Sequence, residues 1–229
     1  MTAMKILFCN IAWMKWYKGY RYNDMPVNGG SYVKKTKQGA ENDNFWPIVN
    51  TYPTIMWDDG TELSLPQGDI CMGFVETGHT KGESNQLHIE NIQDCSGYKN
   101  APYVEDVLVI FCATRTGDKH PVVVGWYNHA IVLRNYVEYG MEDGSVLWKN
   151  IICKAEDAVL LPVNERKWHV PRATPRVTRE KYGFGRSNIW YADYNQSEKV
   201  KPWVEDIYDK ITKYDGENIL YEEIVSARK

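Results

Sequence analysis

Residues 122–137 read VVVGWYNHAIVLRNYV, and the fold turns on how the middle of that stretch is taken. Residues 122–127 and 130–137 are each a strand-length run rich in β-branched and aromatic side chains. Between them stand Asn128 and His129. An Asn-led gap of two residues suits a tight hairpin, because asparagine tolerates a positive φ. The sequence therefore predicts a hairpin here, at the centre of a sheet. On both sides, MKILFC (4–9), CMGFV (71–75), LHIENI (87–92), VLVIFCAT (107–114), VLWKNIIC (146–153) and AVLLP (158–162) are further runs of strand length, bounded by Gly, Pro, Asn or Asp. Six or more strands in one core predict a barrel or sandwich.

The flanks are of a different kind. Residues 18–70 are rich in Gly, Asn, Asp and Pro and weak in periodicity, so long functional loops are expected there rather than a second core. After Pro162 comes a basic segment, residues 164–187, in which Arg166, Lys167, Arg172, Arg176, Arg179, Lys181 and Arg186 stand against Glu165 and Glu180. The whole chain carries a net charge of −3, so a local basic stretch rides on an acidic body. That arrangement can dock on a polyanion, and it is equally the composition of a solvated loop. Val200, Trp203, Val204, Ile207 and Ile211 then recur at helix spacing, with Pro202 near the start where a helix accepts it. This last helix is expected to pack on the sheet, followed by a charged tail from Asp215.

The 229 residues suit one large core. Five cysteines in no CxxC pair, with no histidine at ligand spacing, indicate reduced, mostly buried thiols and neither a disulfide framework nor structural zinc. The apolar run near the start is interrupted at Asn10 and lacks a small-x-small cleavage site. No stretch approaches the roughly 18 apolar residues of a membrane span. A cytoplasmic protein with no membrane contact is expected.

The aromatic composition is unusual: nine Trp and sixteen Tyr against five Phe. Rings that can also hydrogen-bond suit half-wet pocket walls as well as large β cores. Five blocks, NIAWMKWYKG (10–19), NGGSYV (28–33), NFWP (44–47), VVVGWY (122–127) and GFGRSNIWYAD (183–193), taken in that order, make the chain resemble a known family. It resembles the EVE-type domains of the PUA-like superfamily that precede HNH nucleases in modification-dependent (type IV) restriction proteins. The resemblance spans about residues 4 to 195 and lies in the ordered combination, since no single block is specific.

The resemblance implies an α+β fold, a small PUA/EVE-like β-barrel with flanking helices and a C-terminal helix. It divides the chain into a reader domain, residues 1–195, and a helix and tail, residues 196–229. It implies a DNA-binding module, without catalysis or cofactor, that flips a modified base out of double-stranded DNA into an aromatic cage. 5-Methylcytosine or 5-hydroxymethylcytosine is the expected base, and phage defence through restriction the setting, with a nuclease domain or subunit as partner. An extruded base loses stacking worth a few kcal/mol, which flat side chains replace.

By block position, Trp13 and Trp46 are the first cage walls, with Tyr17, Tyr32, Trp126, Tyr127 and Trp190 as further candidates. Trp126 and Tyr127 are neighbours on a predicted strand and point to opposite faces, so at most one lines the pocket. For Trp16, Trp57, Trp148, Trp168 and Trp203 ordinary core packing is the preferred reading. Asn10, Ser31 and Asn188 are short polar residues able to read a base edge, although each equally suits a strand end, turn or backbone cap. Gly30, with Gly29, lets the backbone approach a ligand closely. Phosphate contacts fall to Lys15, Lys18, Lys34, Lys35, Arg115, Arg172, Arg176 and Arg186, which would position the duplex without reading it.

Two features depart from the family pattern. Ala40 stands in QGAENDNFWP (38–47) where family members often carry a histidine, and the loop over residues 51–68 is longer than usual. Both border the expected pocket, which leaves the preferred modification open. The five histidines form no HNH, HxH or HExxH pattern, and no Walker A or complete GxGxxG occurs. Two other readings stand beside the reader. One is a small-molecule or nucleotide sensor using the same pocket. The other is a metal-dependent nuclease using Asp157, Glu165 and Lys167, although Pro162 interrupts the strand that would present them.

Overall fold

The structure, a computed structural model, describes residues 4–19, 21–28, 39–80, 83–140, 144, 146–173 and 182–222. Its strands are β1 (Ile6–Ile11), β2 (Ile48–Val49), β3 (Thr54–Met56), β4 (Glu62–Ser64), β5 (Asp69–Gly73), β6 (His79–Thr80), β7 (Glu83–Ser84), β8 (Tyr103–Ala113), β9 (Val122–Gly140), β10 (Val146–Lys154), β11 (Ala158–Leu160) and β12 (Ile189–Trp190). Helix α1 (Val200–Thr212) follows. The fold is mixed α and β, with one large, mostly antiparallel sheet.

The hairpin expected at Asn128 and His129 is not there. β9 runs straight through these residues as one strand of 19 residues. The positive φ expected at Asn128 falls on its neighbour instead: His129 has φ +51°, and it serves a bulge. Asp106 on the facing strand β8 has φ +60°, and the β8–β9 register shifts around Val107 and Ala130. His129 Nδ1 meets Asp106 Oδ1 at 2.6 Å across the bulge. A bulge bends a strand and increases its twist without ending it. Paired with β8 on one side, β9 pairs on the other first with β11 (Tyr127 opposite Ala158) and then with β10 (Ile131 opposite Ile152).

The main sheet has the order β12-β1-β8-β9-β10-β5-β2, with β11 paired to β9. β1 is parallel to β8, while its other neighbour, β12, is antiparallel. Among the described residues the path does not return on itself, so the expected barrel is not closed there, and β12 and β2 stand at the ends of the sheet. Side chains alternate across it as the two-residue period requires. Leu7, Cys9, Ile11, Val107, Val109, Phe111 and Tyr127 enter one core. Ile6, Phe8, Leu108, Ile110, Cys112 and Trp126 enter the other. Helix α1 covers the second core with Val200, Val204, Ile207 and Ile211, and Trp203 packs on Phe8 with ring centroids 5.5 Å apart. The chain then crosses back, and Ile219 and Leu220 complete the first core.

Residues 18–70 hold more structure than their composition suggests. The β3–β4 hairpin and β5 contribute Leu63, Leu65, Ile70 and Met72 to a third apolar cluster, with Ile131, Leu133, Tyr139 and Ile152. Strands of three residues carry too little alternation for a sequence pattern to register. All five cysteines are buried and unpaired, and burial pushes the Cys71 thiol up to about 12. Among the described residues no helix is long and apolar enough to cross a membrane.

Candidate functional site

Strand β1 delivers Asn10 to the end of the sheet, between β8 and β12. The Asn10 amide donates to the Asn188 carbonyl at 2.7 Å. Their side chains also meet, Asn10 Nδ2 donating to Asn188 Oδ1 at 3.4 Å, and Asn188 Nδ2 donates to Glu76 Oε2 at 3.3 Å. Three residues from β1, the segment before β12 and the loop after β5 thus form one polar chain. Asn10 Oδ1 is buried and accepts no hydrogen bond; among the described residues it shares that state only with Thr114 Oγ1. An acceptor left so typically costs about 1–3 kcal/mol. Thr77 and Ser187, the chain neighbours of Glu76 and Asn188, line a cleft of about 520 Å³ with Asn85, Gln86, His88, Ile189 and Tyr191; Asn10 itself is not among its lining residues. The described lining is amide, hydroxyl, ring and the Ile189 side chain, with no Lys or Arg among the described residues.

Two residues past Asn10, the Ala12 amide donates to Glu41 Oε1 at 3.0 Å. Burial raises the pKa of Glu41, and the nearby Glu76 carboxylate adds to the rise. Below this loop, Lys149 and Asp43 form a buried ion pair.

The loop over residues 12–18 is held by charged side chains from elsewhere in the chain. Asp24 accepts from the Lys15 and Trp16 amides. Arg166, buried, donates to the carbonyls of Met14 and Lys15 at 2.6 Å each and to Leu161 at 2.9 Å. Its guanidinium also lies 5.2 Å from the centre of the Trp13 ring and 5.8 Å from that of Tyr17. Tyr17 takes φ +51° and donates its hydroxyl to the Ala12 carbonyl at 2.8 Å.

The site residues expected from the sequence separate into groups. Asn10 and Asn188 come together, with Trp13 half-buried on the adjoining loop. Trp46 is exposed and lies over Gly19, where an added Cβ would stand 2.8 Å from its ring. Trp13 and Trp46 make no ring contact with each other. Four proposed cage rings are packed in the interior. Tyr17 and Tyr127 belong to the first core, where Phe45 lies 5.7 Å and 5.4 Å from them and Tyr127 donates its hydroxyl to Asn44 O. Trp126 stacks on Trp168 at 5.8 Å, and Trp190 packs on Phe8 at 4.8 Å. Tyr127 and Trp126 do point to opposite faces, but each face is a core. Tyr17, Tyr127 and Trp126 are closed in by these neighbours, whereas Trp190 also borders a cleft of about 470 Å³ with Asn91, Asp193 and Gln196. Trp148, assigned to the core by sequence, is 53% exposed. Gly30, Ser31, Tyr32, Lys34, Lys35 and Arg176 lie outside the described residues.

Among the basic residues, Lys15 and Arg115 line one cleft of about 500 Å³ with Asn164, Glu217 and Glu222. Arg186 is exposed, and Arg172 forms a bridge to Phe184. Lys18, expected at the DNA backbone, turns inward instead. It is buried, and its ammonium donates to the carbonyls of Ile219 and Glu222 at 3.1 and 2.7 Å, so it is spent on the C-terminal segment and cannot reach a phosphate. Glu165, of the acid set considered for a nuclease, accepts from the Tyr214 hydroxyl at 2.6 Å, and Asp157 sits in the short turn between β10 and β11. Among the described residues no three His, Cys, Asp or Glu side chains form a metal-holding group.

Glu76, Glu41, Asp24 and the buried role of Arg166 were missed by sequence reasoning. Glu41 was readable only as part of the departing QGAENDNFWP block, and Arg166 counted merely as charge in the basic segment. Comparison with known proteins gives no match: no family model, no curated protein and no solved structure is significantly similar to the chain.

Proposed function

We propose that the chain is a DNA-binding specificity module that takes a modified base out of the duplex and holds it at the Asn10 end of β1. 5-Methylcytosine or 5-hydroxymethylcytosine is the base of choice, and modification-dependent restriction the role. In this reading the module performs no chemistry, and the sheet is the open form of an EVE-type, PUA-like barrel. The observation that carries it is the Asn10–Asn188–Glu76 chain with its unpartnered Asn10 Oδ1. Two of its three members were singled out separately from sequence blocks 178 positions apart, and together they present a buried acceptor that a base edge can satisfy. Trp13 adds a flat face on the loop that follows β1, and the nearby cleft adds volume.

The test is a panel of duplexes differing only in one cytosine or adenine modification, bound by wild type and by Asn10→Leu, Trp13→Ala and Trp46→Ala. Wild type should prefer one modified duplex by at least about tenfold, the low end of what one recognised base contributes. Asn10→Leu and Trp13→Ala should lose that preference while remaining folded. Equal binding of modified and plain duplexes by wild type overturns the reading.

A second reading, a sensor of a neutral small molecule or nucleotide, draws on the amide and hydroxyl groups of the cleft lining, whose described residues include no Lys or Arg. Ionic strength separates the two. Phosphate neutralisation makes duplex affinity fall steeply with salt, whereas a neutral ligand is nearly indifferent.

A further inference from the structure

We infer that Arg166 is a positioning residue for the proposed base site, acting through Trp13 and the backbone of residues 12–18. The inference rests on the reading above for its functional consequence, but its structural content stands apart from it.

A loop that carries a binding ring needs its own polar backbone satisfied, or it will adopt several conformations. Apart from the Tyr17 hydroxyl on the Ala12 carbonyl, the side-chain partners come from outside the loop. Glu41 takes the Ala12 amide, Asp24 takes the amides of Lys15 and Trp16, and Arg166 takes the carbonyls of Met14 and Lys15. Donors and acceptors are thus matched from opposite sides. Arg166 also lies against the rings, with Trp13 and Tyr17 both within 6 Å of the guanidinium. Its third bond, to the Leu161 carbonyl, anchors it in the chain just after β11, so the loop is referred to the sheet itself. A planar fork with fixed donor directions can reach three carbonyls at once, which the flexible, single-headed ammonium of lysine cannot do. Burial lowers the Arg166 pKa from its ordinary value, yet an arginine stays charged throughout. The three bonds made by Arg166 therefore do not depend on its own titration.

The experiment compares Arg166→Lys and Arg166→Gln with wild type by residue-resolved amide hydrogen exchange, alongside binding to the duplex panel. Both variants should exchange the amides of Lys15 and Trp16 at least about tenfold faster, as local opening of one segment predicts. The amides of β8 and β9 should keep their wild-type protection. On the duplex panel, both variants should weaken binding to the preferred modified duplex at least about fivefold while leaving plain-duplex affinity unchanged, because only the ring's placement is disturbed. Unchanged loop exchange in Arg166→Lys overturns the inference, and so does faster exchange spread evenly over the sheet. If wild type binds no duplex selectively, the functional reading fails, and the exchange data still decide whether Arg166 orders the loop.

Discussion

Glu41 is a carboxylate inside a protein, and its titration has a direction. Burial raises its folded pKa above the ordinary 4.5, so the folded state holds its proton more tightly than the unfolded chain does. The stability this contributes is complete below the unfolded pKa and is lost as pH rises through the raised folded value. Glu41→Gln cannot titrate. Thermal melts between about pH 4 and pH 8 should therefore show the variant gaining on wild type as pH rises; a pH-independent difference would contradict this. Lys18 gives a second prediction at this scale. Its ammonium satisfies two carbonyls of the C-terminal segment, so Lys18→Ala should cost about 1–3 kcal/mol in denaturant unfolding. Had Lys18 served phosphate, its removal would leave stability unchanged and weaken DNA binding instead. Sequence could not separate these roles, because a lysine beside aromatics looks the same whether its ammonium is in water or turned inward to a carbonyl 201 positions away.

Among the elements, β9 decides most. Its residues announced strands on both sides of Asn128, and both are present. The error lay in the join, because a positive φ is needed for a reversal and for a bulge alike, and only the pairing partners settle which occurs. Those partners, β8 on one edge and β11 and β10 on the other, lie elsewhere in the chain. His129→Gly should therefore leave stability equal or raise it by up to about 1 kcal/mol by relieving the left-handed backbone. His129→Val should lower it by about 1–3 kcal/mol, since a β-branched side chain is strained there. Equal stability of the two variants would mean the bulge is not held in this conformation. Gly125 in the same strand is different in kind. A Cβ there would stand 2.4 Å from the Val159 carbonyl and 2.7 Å from the Phe45 ring, so Gly125→Ala should destabilise by about 1–3 kcal/mol through overpacking. Helix α1 was legible in full because its apolar positions repeat through three turns. The Asn10–Asn188 pair was legible in part, as two short polar residues in apolar blocks. Glu76, which completes it, sits in a loop with no periodicity.

At the scale of the whole molecule, the C-terminal segment belongs to both cores. α1 lies on one, while Ile219 and Leu220 fill the other. The crossing is fixed by Tyr214 to Glu165, by Asn218 to Leu160 and Ala158, and by the Lys18 ammonium. A chain ending at Lys213 should keep the helix yet lose two buried aliphatic side chains, at about 2–5 kcal/mol each if they behave as core deletions do. Calorimetry should then show a large fall in Tm or no cooperative transition, and a wild-type melt would place these residues outside the cooperative unit. Strand β1 sets a constraint of another sort. It lies between β8 and β12, with Phe8 opposite Ile110 on one side and Trp190 on the other. On the ribosome β1 is made long before the strands that flank it, and ILFCNI must wait for β12 while more than one hundred and seventy residues emerge. Such long-range closure makes for slow folding and a sticky nascent chain, so cells that express this protein at high levels should lean on holding chaperones during its synthesis.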